Sequence, residues 1–202
     1  MIGTIVNTCT ILIGSIVGSL IHRGIKEKYQ EVLFTAMGMA AVGIGINSIC
    51  QNMPDSKYPV LFIVILAVGG VIGTALNIQG RVDKLSNKVE KRGGSLQGVI
   101  TGVLIFCIGT LSIVGPINAA LAKDYTFLYT NATLDLVTST VLASTYGIIM
   151  VLAAPILFCW QGSIYLIAHV AGNVISGQMI TEMSIVGGFL IARNGLSILK
   201  IK

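Results

Sequence analysis

The chain has 202 residues, 54% of them hydrophobic and 10% charged, with a mean hydropathy of +0.88 and a formal net charge of +5. So little charge cannot cover the surface of a soluble domain of this length, and the composition points to a polytopic membrane protein. The short alternating segments of transmembrane β-strands are missing from the sequence, so the expected fold class is all-α.

A spanning helix needs about 20 mostly apolar residues. Seven segments meet that length, at 2–21, 32–50, 59–78, 98–117, 132–153, 155–172 and 183–199. The first has no positive residue ahead of it and no small-residue cleavage site before the charges that follow, so it reads as a permanent span. It carries a G-x-x-x-G pair, Gly14 and Gly18. The second holds Gly38 and Gly45, seven residues apart, which is close to two turns and puts both on one helix face. The third has Gly69 and Gly73, and the fourth Gly102 and Gly109 before it runs on through Gly115 and Pro116 to Asn118. These eight paired glycines are candidate helix-packing positions. A smooth glycine face lets a neighbouring backbone come close where lipid supplies no hydrophobic drive for association.

The first four segments read as a repeat. "GSIVGSLI" (14–21) aligns with "GGVIGTAL" (69–76), and "GMAAVGIGINSI" (38–49) with "GVLIFCIGTLSI" (102–113). The expected organisation is one integral membrane domain over 1–202, with repeat-like parts at 1–52 and 59–121 followed by 132–202. Parallel repeats of this kind occur in membrane transporters and in proteins that only pack. The seventh segment again has glycines seven apart, Gly188 and Gly195, but in a span running the other way; an inverted copy, a re-entrant segment between 132 and 182 and chance all fit.

Basic residues set the orientation. The loop 22–31 holds Arg23, Lys26 and Lys28, and the loop 79–97 holds Arg81, Lys84, Lys88, Lys91 and Arg92, whereas the alternate connections hold only Lys57 and Lys123. By the positive-inside rule both basic loops are cytoplasmic, the amino terminus is outside and the carboxyl end, with Lys200 and Lys202, is inside. In the longer loop Ile78, Val82, Leu85 and Val89 recur at helical spacing, which predicts an amphipathic helix on the inner leaflet. Beyond Tyr29 neither loop has an aromatic residue, and neither has a nucleic-acid motif, so no nucleic-acid partner is expected.

Polar residues inside the spans are the candidates for function. Asp135 and Arg193 are the charges placed within spans, and a charge near the bilayer centre costs about 2.5–3.5 kcal/mol on insertion scales. On the predicted boundaries Asp135 lies about one turn inside the fifth span, and Arg193 can pair with it only by reaching outward. Gln161, Asn118, His169 and Asn194 complete the pathway or binding candidates. Asn7, Asn47, Asn77 and Asn131 also carry amides, for which helix capping or a headgroup contact is the plainer role. Cys9, Cys50, Cys107 and Cys159 are scattered without a C-x-x-C or a histidine cluster, so no metal or cofactor is expected, and a Cys9–Cys50 disulfide stays open. Hydrolase, zinc-protease, P-loop and Rossmann signatures are missing as well, so an enzyme is not expected.

Cys107, Gly109, Ile113 and Gly115, then Leu134-Asp135, Ser139, Leu142-Ala143-Ser144 and Gly147, then Gln161-Gly162, make a pattern that resembles the YdfK/YqgA-like family of bacterial membrane proteins of unknown function. The likeness runs from "GTIVNT" and "IGSIVG" to "IVGGFLI" in the seventh span. It implies a helical protein of the bacterial inner (plasma) membrane and brings no mechanism. Leu136 stands where the family usually has glycine, and Arg193, Asn194 and Ser197 depart from its seventh-span pattern. Similar proteins continue with a further apolar segment, which implies an eighth span beyond Lys202. The expected function is a transporter or channel for a small solute or ion, with a non-transporting scaffold or regulatory subunit as the alternative. The bilayer is the expected partner, and the glycine faces also allow a homo-oligomer.

Overall fold

The structure is a computed structural model that describes residues 1–21, 24–77, 80, 84, 95–172 and 176–201, with side chains described at all of these except 95–97. Eight α-helices and no strand occur among the described residues. They are α1 (Ile2–Leu20), α2 (Glu27–Asn52), α3 (Leu61–Ala75), α4 (Ser95–Ile108), α5 (Thr110–Leu121), α6 (Thr126–Tyr146), α7 (Ala153–Ala171) and α8 (Gly177–Ile198). Short 3-10 turns at Met53–Asp55 and Ile148–Leu152 extend α2 and lead into α7. The predicted loop helix through Ile78, Val82, Leu85 and Val89 lies outside the described residues.

Two long helix pairs frame the molecule, and glycine sets both. α1 runs parallel to α6: a Cβ on Gly3 would meet Leu128, one on Gly14 would meet Ser139 and the Leu136 carbonyl, and one on Gly18 would meet the Thr140 carbonyl. α2 and α8 run antiparallel, backbone against backbone. A Cβ on Gly45 would lie 2.6 Å from the Gly188 carbonyl oxygen, and one on Gly188 would lie 2.8 Å from that of Gly45. One turn-pair away, Gly38 and Gly195 repeat the reciprocal contact at 3.0 and 2.6 Å. The seventh segment's glycine pair therefore has a concrete role as the opposite half of the second segment's seam. No side chain fits there.

The remaining glycines behave differently. Gly69, Gly70 and Gly73 on α3 meet nothing within 4 Å, and α3 has no buried residue. It rests on α8 through a stacked ring pair, Phe62 and Phe189, with centroids 4.6 Å apart. A Cβ on Gly102 would meet the flexible end of Met150 at 2.5 Å and the Phe106 ring at 3.3 Å. The two G-x-x-x-G pairs are therefore treated unequally: α1 buries its own and α3 leaves its own open.

The fourth predicted segment is two helices meeting at a bend. Its two halves, Gly98–Ile108 and Thr110–Leu121, meet at 49°, with Gly109 in extended backbone between them. The break comes at Gly109 and not at Gly115-Pro116, and Pro116 sits inside α5. A Cβ on Gly109 would find nothing closer than 3.4 Å, so that glycine serves the bend and not a helix contact. The predicted span 132–153 is also redrawn: α6 starts at Thr126 and stops at Gly147, whose φ of 80° favours a residue without a Cβ. The chain then turns through Ile148–Leu152 into α7. Because "GIIMVLAAP" is as apolar as its surroundings, hydropathy does not mark this boundary.

Ile2–Leu20, Glu27–Asp55 and Ile148–Ala171 are long and apolar enough to cross a membrane, and the bent pair is a fourth such stretch if taken as one span. α6 and α8 have the length, at 21 and 22 residues, but carry more polar side chains; α3 is apolar but only 15 residues long. One buried core joins Ile11, Phe106, Ala143, Met150, Ala154 and Leu157 across α1, α4, α6 and α7. A second, of Ala41, Leu111, Phe127 and Ile191, ties α5 and α6 to the α2–α8 pair. α5 touches α4, α6, α7 and α8, and so stands at the centre.

Candidate functional site

On α6 the residues Asn131, Asp135 and Ser139 recur every four positions, so their side chains form a row on one face. All three are buried, Asp135 at 5% exposure. On α1 the buried face includes Thr4, Asn7, Ile11 and Ser15, and α6 lies against it. α7 brings Gln161, fully buried, and the first turn of α5 brings Ser112. Polar side chains from four helices thus converge beside the break at Gly109.

The hydrogen bonds run through Asn131 and Ser112. Asn131 Nδ2 donates to Asp135 Oδ2 at 2.8 Å and to Ser112 Oγ at 3.2 Å. Gln161 Nε2 reaches the same Ser112 oxygen at 3.5 Å. Ser112 Oγ in turn donates to the carbonyl of Phe106, in the last turn of α4, so one side chain spans the bend. Asn7 faces the Asp135 carboxyl from α1. Four buried side-chain oxygens have no hydrogen-bond partner among the described residues, Gln161 Oε1, Thr4 Oγ1 and Ser15 Oγ on α1, and Thr101 Oγ1 on α4, and the Asn7 Nδ2 donor is likewise unpartnered. Pro116 has no N–H to give to the Ser112 carbonyl four residues before it.

Asp135 lies further into its helix than the predicted boundary implies: counted from Thr126 it is nine residues into α6, about 14 Å along the axis. Its neighbours are neutral, and Arg193 does not pair with it: that side chain is exposed on α8. A buried carboxylate with no cation is expensive unless it takes up a proton or a cation. No group of three His, Cys, Asp or Glu side chains capable of holding a metal occurs among the described residues.

The other candidates are elsewhere. Asn118 is buried on α5, where its Oδ1 accepts from Ser184 Oγ of α8 at 3.1 Å, and Ser48 of α2 donates to the Ser184 carbonyl at 3.3 Å. His169 is exposed and stacks on Tyr165, ring centroids 6.0 Å apart, and Asn194 is half-buried on α8. The four cysteines are free thiols, Cys107 buried and the others exposed.

Sequence reasoning missed three contributors. Thr4 and Ser112 look unremarkable alone, but the spacing of Thr4 to Asn7 and of Asn131 to Asp135 to Ser139 was a readable signal of one polar face. Glu182 falls one residue before the predicted seventh span, yet it is buried in α8. Ser56 Oγ donates to its two oxygens at 2.7 and 2.9 Å, the Tyr58 N–H at 3.3 Å and Gln178 Nε2 at 3.0 Å. These bonds latch the connection between α2 and α3 onto α8. Beside the latch lies a largely apolar cavity of about 540 Å³ between α3, α5 and α8, lined by Leu61, Ile65, Val114, Ile117, Met183 and Val186 among others.

A family described as "Protein of unknown function (DUF554)" matches residues 2–202. The chain belongs to the DUF554 family. This DUF554 protein is 55% identical over 202 residues to a Bacillus subtilis (strain 168) protein described as "Uncharacterized membrane protein YdfK", covering 100% of this chain and 88% of that one. It is 26% identical over 216 residues to the Escherichia coli (strain K12) "Uncharacterized protein YqgA", again covering 100% of this chain and 88% of the relative. No solved structure matches. The family resemblance read from Cys107, Asp135 and Gln161 and their surroundings is therefore correct, and the relative's description agrees with a membrane protein.

Proposed function

We propose that this DUF554 protein is a transporter or channel for a small solute or ion in the bacterial inner membrane, with its path passing Asp135. The observation that supports this is one carboxylate, buried in the middle part of α6 among neutral polar side chains from four helices, beside a bend between two helices. Ionisable residues inside membranes are costly and mark pathways or relays, and discontinuous helices present unpaired backbone groups to ions and solutes. We propose seven crossings, with the amino terminus outside and the basic loops 22–31 and 79–97 in the cytoplasm. The parallel α1–α6 pair and the antiparallel α2–α8 pair are compatible with that order.

The test is flux in proteoliposomes, using sodium, potassium and proton gradients together with mixed amino and organic acids. Flux that Asp135→Asn abolishes supports the proposal. No flux of any of these, together with an Asp135→Asn strain that grows as wild type, rejects it. The scaffold reading draws its support from the open glycine face of α3. A stable protein partner cross-linked to α3, with no flux, would favour it.

A further inference from the structure

We infer that the Asp135 cluster binds one monovalent metal cation of the sodium class. This deepens the transport reading and takes its functional meaning from it, by naming the ion that occupies the pathway.

Charge sets the valence. The cluster contains one carboxylate, and its other members, Asn7, Ser112, Asn131 and Gln161, are neutral. A single positive charge cancels Asp135, whereas a divalent ion would leave a net charge in a low-dielectric interior and normally recruits several carboxylates. The donor set then separates a metal ion from a proton. Gln161 Oε1 is fully buried and lacks a partner, on a carboxamide whose other arm reaches Ser112. Pro116 leaves the Ser112 carbonyl without its helical donor. A proton on Asp135 could satisfy one of these acceptors. A metal ion takes several oxygens at once and satisfies them together.

Asn131 fixes the geometry. It holds Asp135 Oδ2 and Ser112 Oγ with one amide nitrogen, so the carboxylate and the break keep a set separation. Thr4 Oγ1, unpaired one turn nearer the start of α1, supplies an oxygen on the route inward. Neither His169 nor Arg193 takes part, since both are exposed.

The experiment is a thermal melt of the full chain in detergent micelles at neutral pH and constant ionic strength, with sodium chloride replacing choline chloride. The midpoint should rise and saturate with sodium. Gln161→Ala should weaken the apparent affinity about tenfold or more, and Asp135→Asn, which keeps the shape of the side chain, should abolish the saturable rise. A midpoint indifferent to sodium, lithium and potassium overturns the inference, as does a rise that both variants keep or one that calcium alone produces. The two proposals fail separately. Flux that persists in choline on both sides of the membrane rejects the sodium assignment and leaves transport standing, while saturable sodium binding without flux does the reverse.

Discussion

Along α2 and α8 backbone meets backbone: Gly38 and Gly45 face Gly195 and Gly188, each against a carbonyl of the opposite helix. Around Asp135 the interior is made of side chains, with Asn131, Ser112, Gln161 and Asn7 filling the space between α1, α5, α6 and α7. Both regions are buried, yet they answer different demands. Lipid offers no drive for helices to associate, so close glycine contact supplies dispersion and backbone complementarity. It carries no charge and can hold no ligand. The polar cluster leaves buried polar atoms unpaired, which is a stability cost that a purely structural interior has no reason to carry. The seam builds the frame, and the cluster is what the frame encloses.

The comparison breaks most visibly at the seam. Gly45→Leu or Gly188→Leu should leave no folded protein, because even a Cβ would lie within 2.6 to 2.8 Å of a backbone oxygen that cannot move aside. Gly188→Ala is the milder form; overpacking of about 1–3 kcal/mol would lower the melting midpoint by roughly 3–10 °C, read by thermal melts in detergent. A Gly188→Ala protein as stable as wild type would mean that the seam is looser than drawn.

Asp135→Asn should do the opposite. Flux should fall about tenfold or more, while the midpoint in sodium-free buffer stays level or rises, because a buried charge has been removed. A protein that loses stability and activity in step would make Asp135 a structural residue.

Glu182 sharpens the contrast between two buried carboxylates. It has Ser56, Gln178 and the Tyr58 N–H as donors, so its role is to latch the α2–α3 connection. Glu182→Gln should cost about 1 kcal/mol, a drop of roughly 2–4 °C in midpoint, with flux unchanged. Lost flux at full stability would place Glu182 on the pathway.

The smallest effect belongs to α3. Gly69→Ala or Gly73→Ala meets open space and improves helix propensity, so the midpoint should change by no more than the equivalent of about 1 kcal/mol, upward. A marked loss of stability would show that a second chain covers this face.

The sequence made the all-helical membrane class legible, because low charge and long apolar runs leave few alternatives. It also made Asp135 and Gln161 legible, since polar side chains are conspicuous in apolar spans. The glycine spacing was readable as packing, but not its partners: similarity in "GMAAVGIGINSI" and "GFLIARNGLSIL" comes from two faces that meet, and a one-dimensional comparison cannot tell a meeting face from a copied one. Gly69 and Gly73 carry the same pattern as Gly14 and Gly18 without a neighbour. The bend at Gly109 was hidden because Pro116 is the stronger breaker by composition, although a proline can remain inside a helix whose lost hydrogen bond is tolerated. The start of the Asp135 helix was misjudged for a related reason. "TFLYTNATLD" is too polar to count as membrane by hydropathy, yet it is the start of α6, and Thr130, Asn131 and Asp135 within it are buried.

On the transport proposal, the buried cluster around Asp135 is a functional centre separable from the packing frame. The most direct test of this claim pairs two readouts on one variant: ion and solute flux in proteoliposomes, and the thermal midpoint, for Asp135→Asn against wild type. The predicted result is wild-type protein that conducts or transports, and an Asp135→Asn protein that does not while melting at or above the wild-type midpoint in sodium-free buffer. An Asp135→Asn protein with wild-type flux would contradict the claim.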